Sequence, residues 1–282
     1  MKRLLMTLTF LIVIPIQTIA SDGVLEINQT CAIELGCFTG DSAGFPVTIN
    51  ALDGLGRSYK LTSDLSISST TTNVIDVLTS NVTIDLNGFS ITAFACTNTD
   101  SDCTPASQGS GSGISSANTR NNITVKNGSI IGMGYNGVKL EGLQSHIENI
   151  TSKWNYSYGA LLGKNAIVSN NRIFENGTDG IKAKESSFIN NNHIKDNGGD
   201  GVNVLNDSSI IKNIVVSNTG DGIETTSGSL VKDNVVNRNS AYGLKLSTTS
   251  AYSNNMIYLN SLSVFLGVEI GTNFCDGDTT CP

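Results

Sequence analysis

The sequence predicts an all-β chain wound as a parallel solenoid of about nine to ten coils. Two observations carry that prediction and a third fits it. A Gly column recurs at Gly137, Gly159, Gly180, Gly201, Gly222 and Gly243, with steps of 22, 21, 21, 21 and 21 residues. Two Asn columns and two aliphatic columns keep the same step. These are Asn171, Asn192, Asn213, Asn234 and Asn255; Asn155, Asn176, Asn197, Asn218, Asn239 and Asn260; Ile147, Val168, Ile189, Ile210 and Val231; and Ile173, Ile194, Val215, Val236 and Ile257. Composition agrees: the 282 residues are 39% hydrophobic, 15% charged and 6% aromatic, with only 4 Pro. That is too apolar for a disordered chain, and a period of this size marks a solenoid.

Each unit holds short alternating stretches such as Val202-Asn203-Val204 and Ile181-Lys182-Ala183, which read as strands. No unit has room for a helix of leucine-rich or ankyrin type. Three short strands per coil fit, each coil stacking in parallel on the last at roughly 4.8 Å. Aliphatic columns then fill the interior, and Asn columns pass amide hydrogen bonds from coil to coil. Gly belongs where a turn needs positive φ or close backbone approach.

Upstream the spacing loosens. "NVTIDLNGFSI" (Asn81–Ile91) and "NITVKNGSI" (Asn122–Ile130) share one shape. The polar stretch 95–112 between them reads as a loop bulging from one coil, stapled by a disulfide between Cys96 and Cys103. Residues 21–46 lack the period and are expected to cap the N-terminal end. Residues 271–282 are expected to close the other, since an open coil end invites edge pairing. The whole of 21–282 reads as one domain.

Residues 1–20 read as a signal peptide: a basic Lys2-Arg3 start, an apolar run Leu4–Ile16, and a small-residue end at Thr18-Ile19-Ala20. The run is short for a membrane span, and no later stretch reads as transmembrane. The expected location is outside the cytoplasm: secreted, periplasmic or cell-surface. There the six cysteines are expected to pair as disulfides. Fifteen connectivities are open. The three local ones, Cys31 with Cys37, Cys96 with Cys103 and Cys275 with Cys281, are favoured because each pair sits in its own irregular segment. Without a Cys-x-x-Cys or a nearby His, zinc is the weaker reading. A formal charge of -7 argues against a nucleic-acid partner.

"GFPVTI", "YKLTSDL" and "NVTIDLNGFSI", followed by repeated "DGI" and "NN-I" units, resemble the right-handed parallel β-helix repeat proteins of the pectin-lyase-like superfamily, over roughly residues 45–270. The resemblance implies a right-handed β-helix. It leaves activity open, because that superfamily includes lyases, hydrolases, epimerases, phage tailspikes and non-catalytic surface proteins.

Candidate chemistry centres on the residue before each Gly: Asn136, Tyr158, Asp179, Asp200, Asp221 and Tyr242. Asp179, Asp200 and Asp221 would stack about 5 Å apart between two tyrosines. Mutual repulsion would raise at least one pKa, giving an acid and a base. The same trio could ligate Ca²⁺, as the resemblance to calcium-dependent lyases implies, and Tyr158 and Tyr242 could support sugar rings. The plainer reading is turn chemistry, with each Asp capping local amides. A second solvent-facing column, Lys139, Leu161, Lys182, Asn203, Glu224 and Lys245, lies on the same side, so Lys182, Glu224 and Lys245 are candidate contacts. Arg172 and His193 share a column beside Lys195 and could hold a uronate. Trp154, Tyr156 and Tyr158 with Tyr135 form the densest aromatic patch, a sugar platform or an apolar pad. His146 reads as a surface residue. The Gly-His-Gly element of polygalacturonases and the Asp-Pro-His-Asp of alginate epimerases are absent from the sequence.

The leading reading is therefore an exported protein that contacts polysaccharide along its surface. Two alternatives are a polysaccharide lyase or hydrolase using the Asp column, and a structural or adhesive protein in which every column serves the fold.

Overall fold

A computed structural model describes residues 23–50, 57–93, 108–276 and 281. The expected signal peptide and most of the expected 95–112 loop lie outside the described residues.

The described chain is a parallel β-solenoid. Ten strands form one sheet and nineteen form a second, so each coil gives one strand to the first sheet and, in most coils, two to the second. The ten strands of the first sheet set the number of turns at about ten. One coil shows the plan: Val202–Val204 in the first sheet, then Ser209–Ile211 and Ile214–Val216 in the second. In two coils the second-sheet pair merges into one longer strand, Ile123–Ile131 and His146–Lys153.

The register is the one the columns require. Ile181 pairs with Val202, Val202 with Ile223, and Ile223 with Leu244. All four side chains are buried. Alternation on these pleated strands leaves Lys182, Asn203, Glu224 and Lys245 aligned on the outer face.

Both Asn columns are buried ladders. Asn176, Asn197 and Asn218 each donate Nδ2 to Oδ1 of the Asn one coil on, at 2.9 Å. The backbone N–H of Asn197 also donates to Asn218 Oδ1. The other ladder repeats this pattern from Asn171 to Asn255. It ends on Asn273, whose Nδ2 donates to Glu269.

The residue before each ladder Asn takes left-handed backbone. Trp154, Glu175, Asp196, Ser217, Arg238 and Leu259 all lie at φ 55 to 57. Such a conformation costs a non-glycine residue roughly 1 kcal/mol. The tight turn it makes aims the following Asn inward, where the amide ladder offsets that cost.

The Gly column answers a different need. None of Gly137, Gly159, Gly180, Gly201, Gly222 or Gly243 is among the positive-φ glycines. A Cβ at Gly201 would instead lie 2.2 Å from Val215 Cγ1 and 2.7 Å from the Gly222 carbonyl oxygen. Close approach, rather than φ, selects glycine here.

Two elements within the expected N-terminal cap were not read from the sequence: a strand, Val24–Ile27, that pairs in parallel with Ser58–Leu61 in the second sheet, and a six-residue helix, Gln29–Glu34, with Asn28 capping Cys31 N–H. Ala32 within it and Phe38 after it join the same apolar core as the coils. No helix among the described residues is long and apolar enough to cross a membrane.

Of the three disulfides expected, two are present among the described residues, Cys31 with Cys37 and Cys275 with Cys281, in the local pairing expected. The third is not. Cys96 and Cys103 both lie outside the described residues, so the expected bond from Cys96 to Cys103 is no part of the structure described.

Candidate functional site

The Asp column lies in the turn that leads each coil into its first-sheet strand. Its backbone is tied along the stack. Oδ1 of Asp179 accepts from the Asp200 N–H at 2.9 Å, Oδ1 of Asp200 from the Asp221 N–H at 2.7 Å, and Oδ1 of Asp221 from the Tyr242 N–H at 2.8 Å. Asn136 does the same for Tyr158 at 3.2 Å. One oxygen of each Asp thus does turn work, and it caps the next coil rather than its own.

The second oxygens face the neighbouring outer column, and there the three Asp diverge. Asp179 Oδ2 meets Lys182 Nζ at 3.5 Å. Asp200 Oδ2 accepts from Asn203 Nδ2 at 2.9 Å, and the same amide nitrogen donates to Glu224 Oε2 at 2.6 Å. Lys245 Nζ lies 2.8 Å from Glu224 and 3.3 Å from Asp221. Two adjacent coils and one side chain from the next therefore interlock as Asp200, Asn203, Glu224, Asp221 and Lys245. Asp221 is 5% exposed, whereas Asp200 and Glu224 are only half-buried.

These surroundings push the carboxyls apart. Burial raises Asp200 to about 6, against the opposing hydrogen bonds from Asn203 and the Asp221 N–H. The nearby charge of Asp179 adds to the rise. Burial would raise Glu224 too, but hydrogen bonds from Lys245 and Asp200 overrule it and hold Glu224 below its ordinary value. Lys245 is raised, chiefly by its bond to Glu224. Of the two, Asp200 is the carboxyl that keeps its proton to higher pH and Glu224 the one that is charged at lower pH.

A pH prediction follows. The Asp200 carboxyl titrates near 6 in the folded chain against an ordinary 3.8. Between those values the folded state holds more protons than the unfolded one. Stability contributed by this group therefore falls as pH rises through that window and stays level above it. Solvent screening of a half-exposed group limits the effect to about 1 kcal/mol. Asp200→Asn keeps an Oδ1 for the Asp221 N–H. In urea titrations its stability relative to wild type is expected to be higher by about that amount at pH 8 than at pH 4, because the loss of the Asn203 bond to Oδ2 is common to both. An equal difference at both pH values would contradict the raised carboxyl.

A cation could use Asp200, Asp221 and Glu224, each with a carboxylate oxygen within 4.8 Å of the others. This differs from the expected calcium set of Asp179, Asp200 and Asp221, because Glu224 takes the place of Asp179. The ammonium of Lys245 already supplies positive charge to Glu224 and Asp221, so a divalent ion would have to displace it.

The expected aromatic contacts are placed unevenly. Tyr158 and Tyr242 bracket the Asp column, with Lys182 Nζ 5.7 Å from the centre of the Tyr158 ring and Phe265 packed on Tyr242 at 5.2 Å. Small residues fill the turns between them, at Gly177, Thr178, Gly198, Gly199, Thr219 and Gly220. Trp154 is occupied: Lys153 Nζ sits 3.6 Å over its ring and its indole N–H donates to Glu175. Arg172 and His193 are paired in register on the third strand of the coil, away from the Asp column. His146 is half-buried, with Nε2 3.4 Å from Ser169.

Sequence reasoning placed Asn203 in the outer column but assigned it no role. The signal for one is its i, i+3 spacing from Asp200 across the Gly-turn, which Asp179 and Lys182 repeat one coil earlier.

Comparison with known proteins agrees with the solenoid fold. A family profile described as a right-handed beta helix region matches residues 112–262. No curated protein sequence matches significantly. The A-module of the Azotobacter vinelandii mannuronan C-5 epimerase AlgE4 superposes with a TM-score of 0.53 at 14% identity, over 90% of this chain and 84% of that one. The periplasmic alginate epimerase AlgG, as a double mutant, gives 0.53 at 14% identity, over 88% and 71%. The Dettilon tailspike protein gp208 gives 0.56 at 14% identity, over 76% of this chain but only 46% of the tailspike. At these identities the likeness is one of fold.

Proposed function

The chain belongs to the right-handed β-helix family, and on that premise we propose that it is an exported protein that contacts polysaccharide along the Asp179–Asp200–Asp221 turn column. One observation carries this reading. The interlocked Asp200, Asn203, Glu224 and Lys245 stand on a solvent-facing strip bounded by Tyr158 and Tyr242. Hydrogen-bonding groups repeated once per coil, at roughly 4.8 Å, suit a polymer whose units repeat at a comparable length. Aromatic faces at the ends suit sugar C–H surfaces. Two local disulfides accord with an oxidising compartment. The superposed epimerases named for mannuronan and alginate add support of the same kind.

Acid–base chemistry is the second reading, and the separation of Asp200 from Glu224 favours it. A carboxyl near pH 6 beside one held charged is the arrangement that lets one donate a proton and the other accept.

Calorimetry with a panel of neutral and acidic oligosaccharides tests the first reading. At least one is expected to bind, and Tyr158→Ala is expected to weaken that binding about tenfold. Silence across the panel, or full binding by Tyr158→Ala, removes it. Assays for unsaturated products or new reducing ends, with and without Ca²⁺, test the second. Turnover is expected to fall at least a hundredfold in Asp200→Asn. Absence of turnover on every polysaccharide, or unchanged turnover in that variant, removes the enzyme reading and leaves the contact surface standing.

A further inference from the structure

The net charge of -7 is not evenly spread. On the outer face of the third strand of the coils, Arg172, Phe174, Glu175, His193 and Lys195 line a hollow of about 190 Å³. Lys153 stands beside it, over the rings of Trp154 and, at 5.8 Å, Phe174. The two nearby carboxylates are engaged. Asp196 pairs with Lys195 at 2.8 Å, and Glu175 accepts the Trp154 indole N–H. Arg172 has no ion pair among the described residues. Its guanidinium lies 5.7 Å from the centre of the Phe174 ring, and Arg172 lines the hollow itself. His193 reports the surplus: partial burial, then the charges of Arg172 and Lys195, hold its imidazole below the ordinary value.

We propose that this hollow is an oxyanion subsite that receives a carboxylate or sulfate group carried on a saccharide, with Arg172 as the bidentate anchor, Lys195 as the second cation and the Phe174 ring beside the sugar. A planar guanidinium matches a two-oxygen acceptor, and its hydrogen bonds to an anion are among the strong ones. The volume is below that of a drug-sized pocket and suits one charged sugar unit. The saccharide carrier rests on the glycan-contact reading above; the anion site does not. It also lies on a different face from the Asp column, so a glycan that reached both would carry its charge here and its hydroxyls there.

The test uses the whole protein with isotope-labelled Arg and His side chains at fixed ionic strength. The probes are a hexuronate trisaccharide, a carboxyl-free sulfated trisaccharide, a neutral trisaccharide and inorganic sulfate. One or both acidic trisaccharides are expected to shift the Arg172 Nε and His193 ring signals, and which one responds identifies the carboxylate or sulfate source. The neutral sugar is expected to leave them in place. Arg172→Gln, at an exposed position, is expected to weaken binding about tenfold or more, and Lys195→Gln to weaken it less. Tyr158→Ala is expected to leave the Arg172 response intact, which separates this site from the Asp column. The proposal is overturned if neither acidic trisaccharide moves these signals, if the neutral one moves them equally, or if Arg172→Gln binds like wild type. A response to inorganic sulfate with none to the saccharides overturns the saccharide carrier.

Discussion

Asn197→Ala is expected to destabilise the protein by about 3–5 kcal/mol, by orphaning buried polar groups and opening a cavity. Asn197 is 0% exposed. Its Oδ1 accepts the Asn176 backbone N–H at 3.1 Å and the Asn176 Nδ2 at 2.9 Å, while its own Nδ2 donates to Asn218 Oδ1 at 2.9 Å and to the Ile173 carbonyl at 3.3 Å. Truncation leaves the Asn176 backbone N–H without that acceptor and opens a cavity between two coils. Each orphaned buried group costs about 1–3 kcal/mol, and the cavity adds to that. Asn237, a half-buried residue outside the ladders, is the control: Asn237→Ala should stay within about 0.5 kcal/mol. Chemical denaturation of the two variants beside wild type checks both. Equal small losses would mean that the ladder does not hold the coils together.

Gly201→Ala is expected to cost about 2–4 kcal/mol, through overpacking rather than backbone strain. The added carbon would lie 2.2 Å from Val215 Cγ1, 2.7 Å from the Gly222 oxygen and 2.8 Å from Asn218 Nδ2. The Gly222 oxygen is fixed by the Val202 N–H at 3.0 Å, so the contact cannot relax by a rotamer change alone. Relief requires the turn itself to shift, and that turn carries Asp200. The variant should therefore lose the bond from the Asp221 N–H to Asp200 along with its stability. Denaturation measures the first effect, and the titration of the Asp200 carboxyl measures the second. A variant as stable as wild type would show that the coils are less closely packed at this column than the geometry requires.

How much of this could be read from the chain depends on whether stacking repeats a residue. Where equivalent positions touch, like packs on like, and the Asn, Gly and aliphatic columns spell out the register before any coordinate is known. The same logic brought Asp179, Asp200 and Asp221 into one line between Tyr158 and Tyr242. It failed where geometry repeats but chemistry does not. The left-handed turn column runs Trp154, Glu175, Asp196, Ser217, Arg238, Leu259. No residue type marks it, because the inward Asn that follows enforces the conformation.

It also failed where two columns interact. That Asp200 shares Asn203 with Glu224, while Asp179 turns to Lys182, depends on which polar partner stands three residues on and one coil away. The ends of the solenoid are hard to read for a related reason. Glu269 occupies a position in register with the buried Tyr252 and takes the last ladder amide, from Asn273.

The functional account turns on Asp200 being a carboxyl that keeps its proton up to about pH 6 in a preformed glycan-contacting cluster. Carbon-13 titration of the side-chain carboxyls, alone and with the acidic oligosaccharide that binds best, addresses this most directly. The account predicts that Asp200 titrates near 6, that Glu224 titrates below its ordinary range, and that both midpoints move when the oligosaccharide is added. An Asp200 midpoint in the ordinary carboxylate range, unmoved by any saccharide, would contradict it.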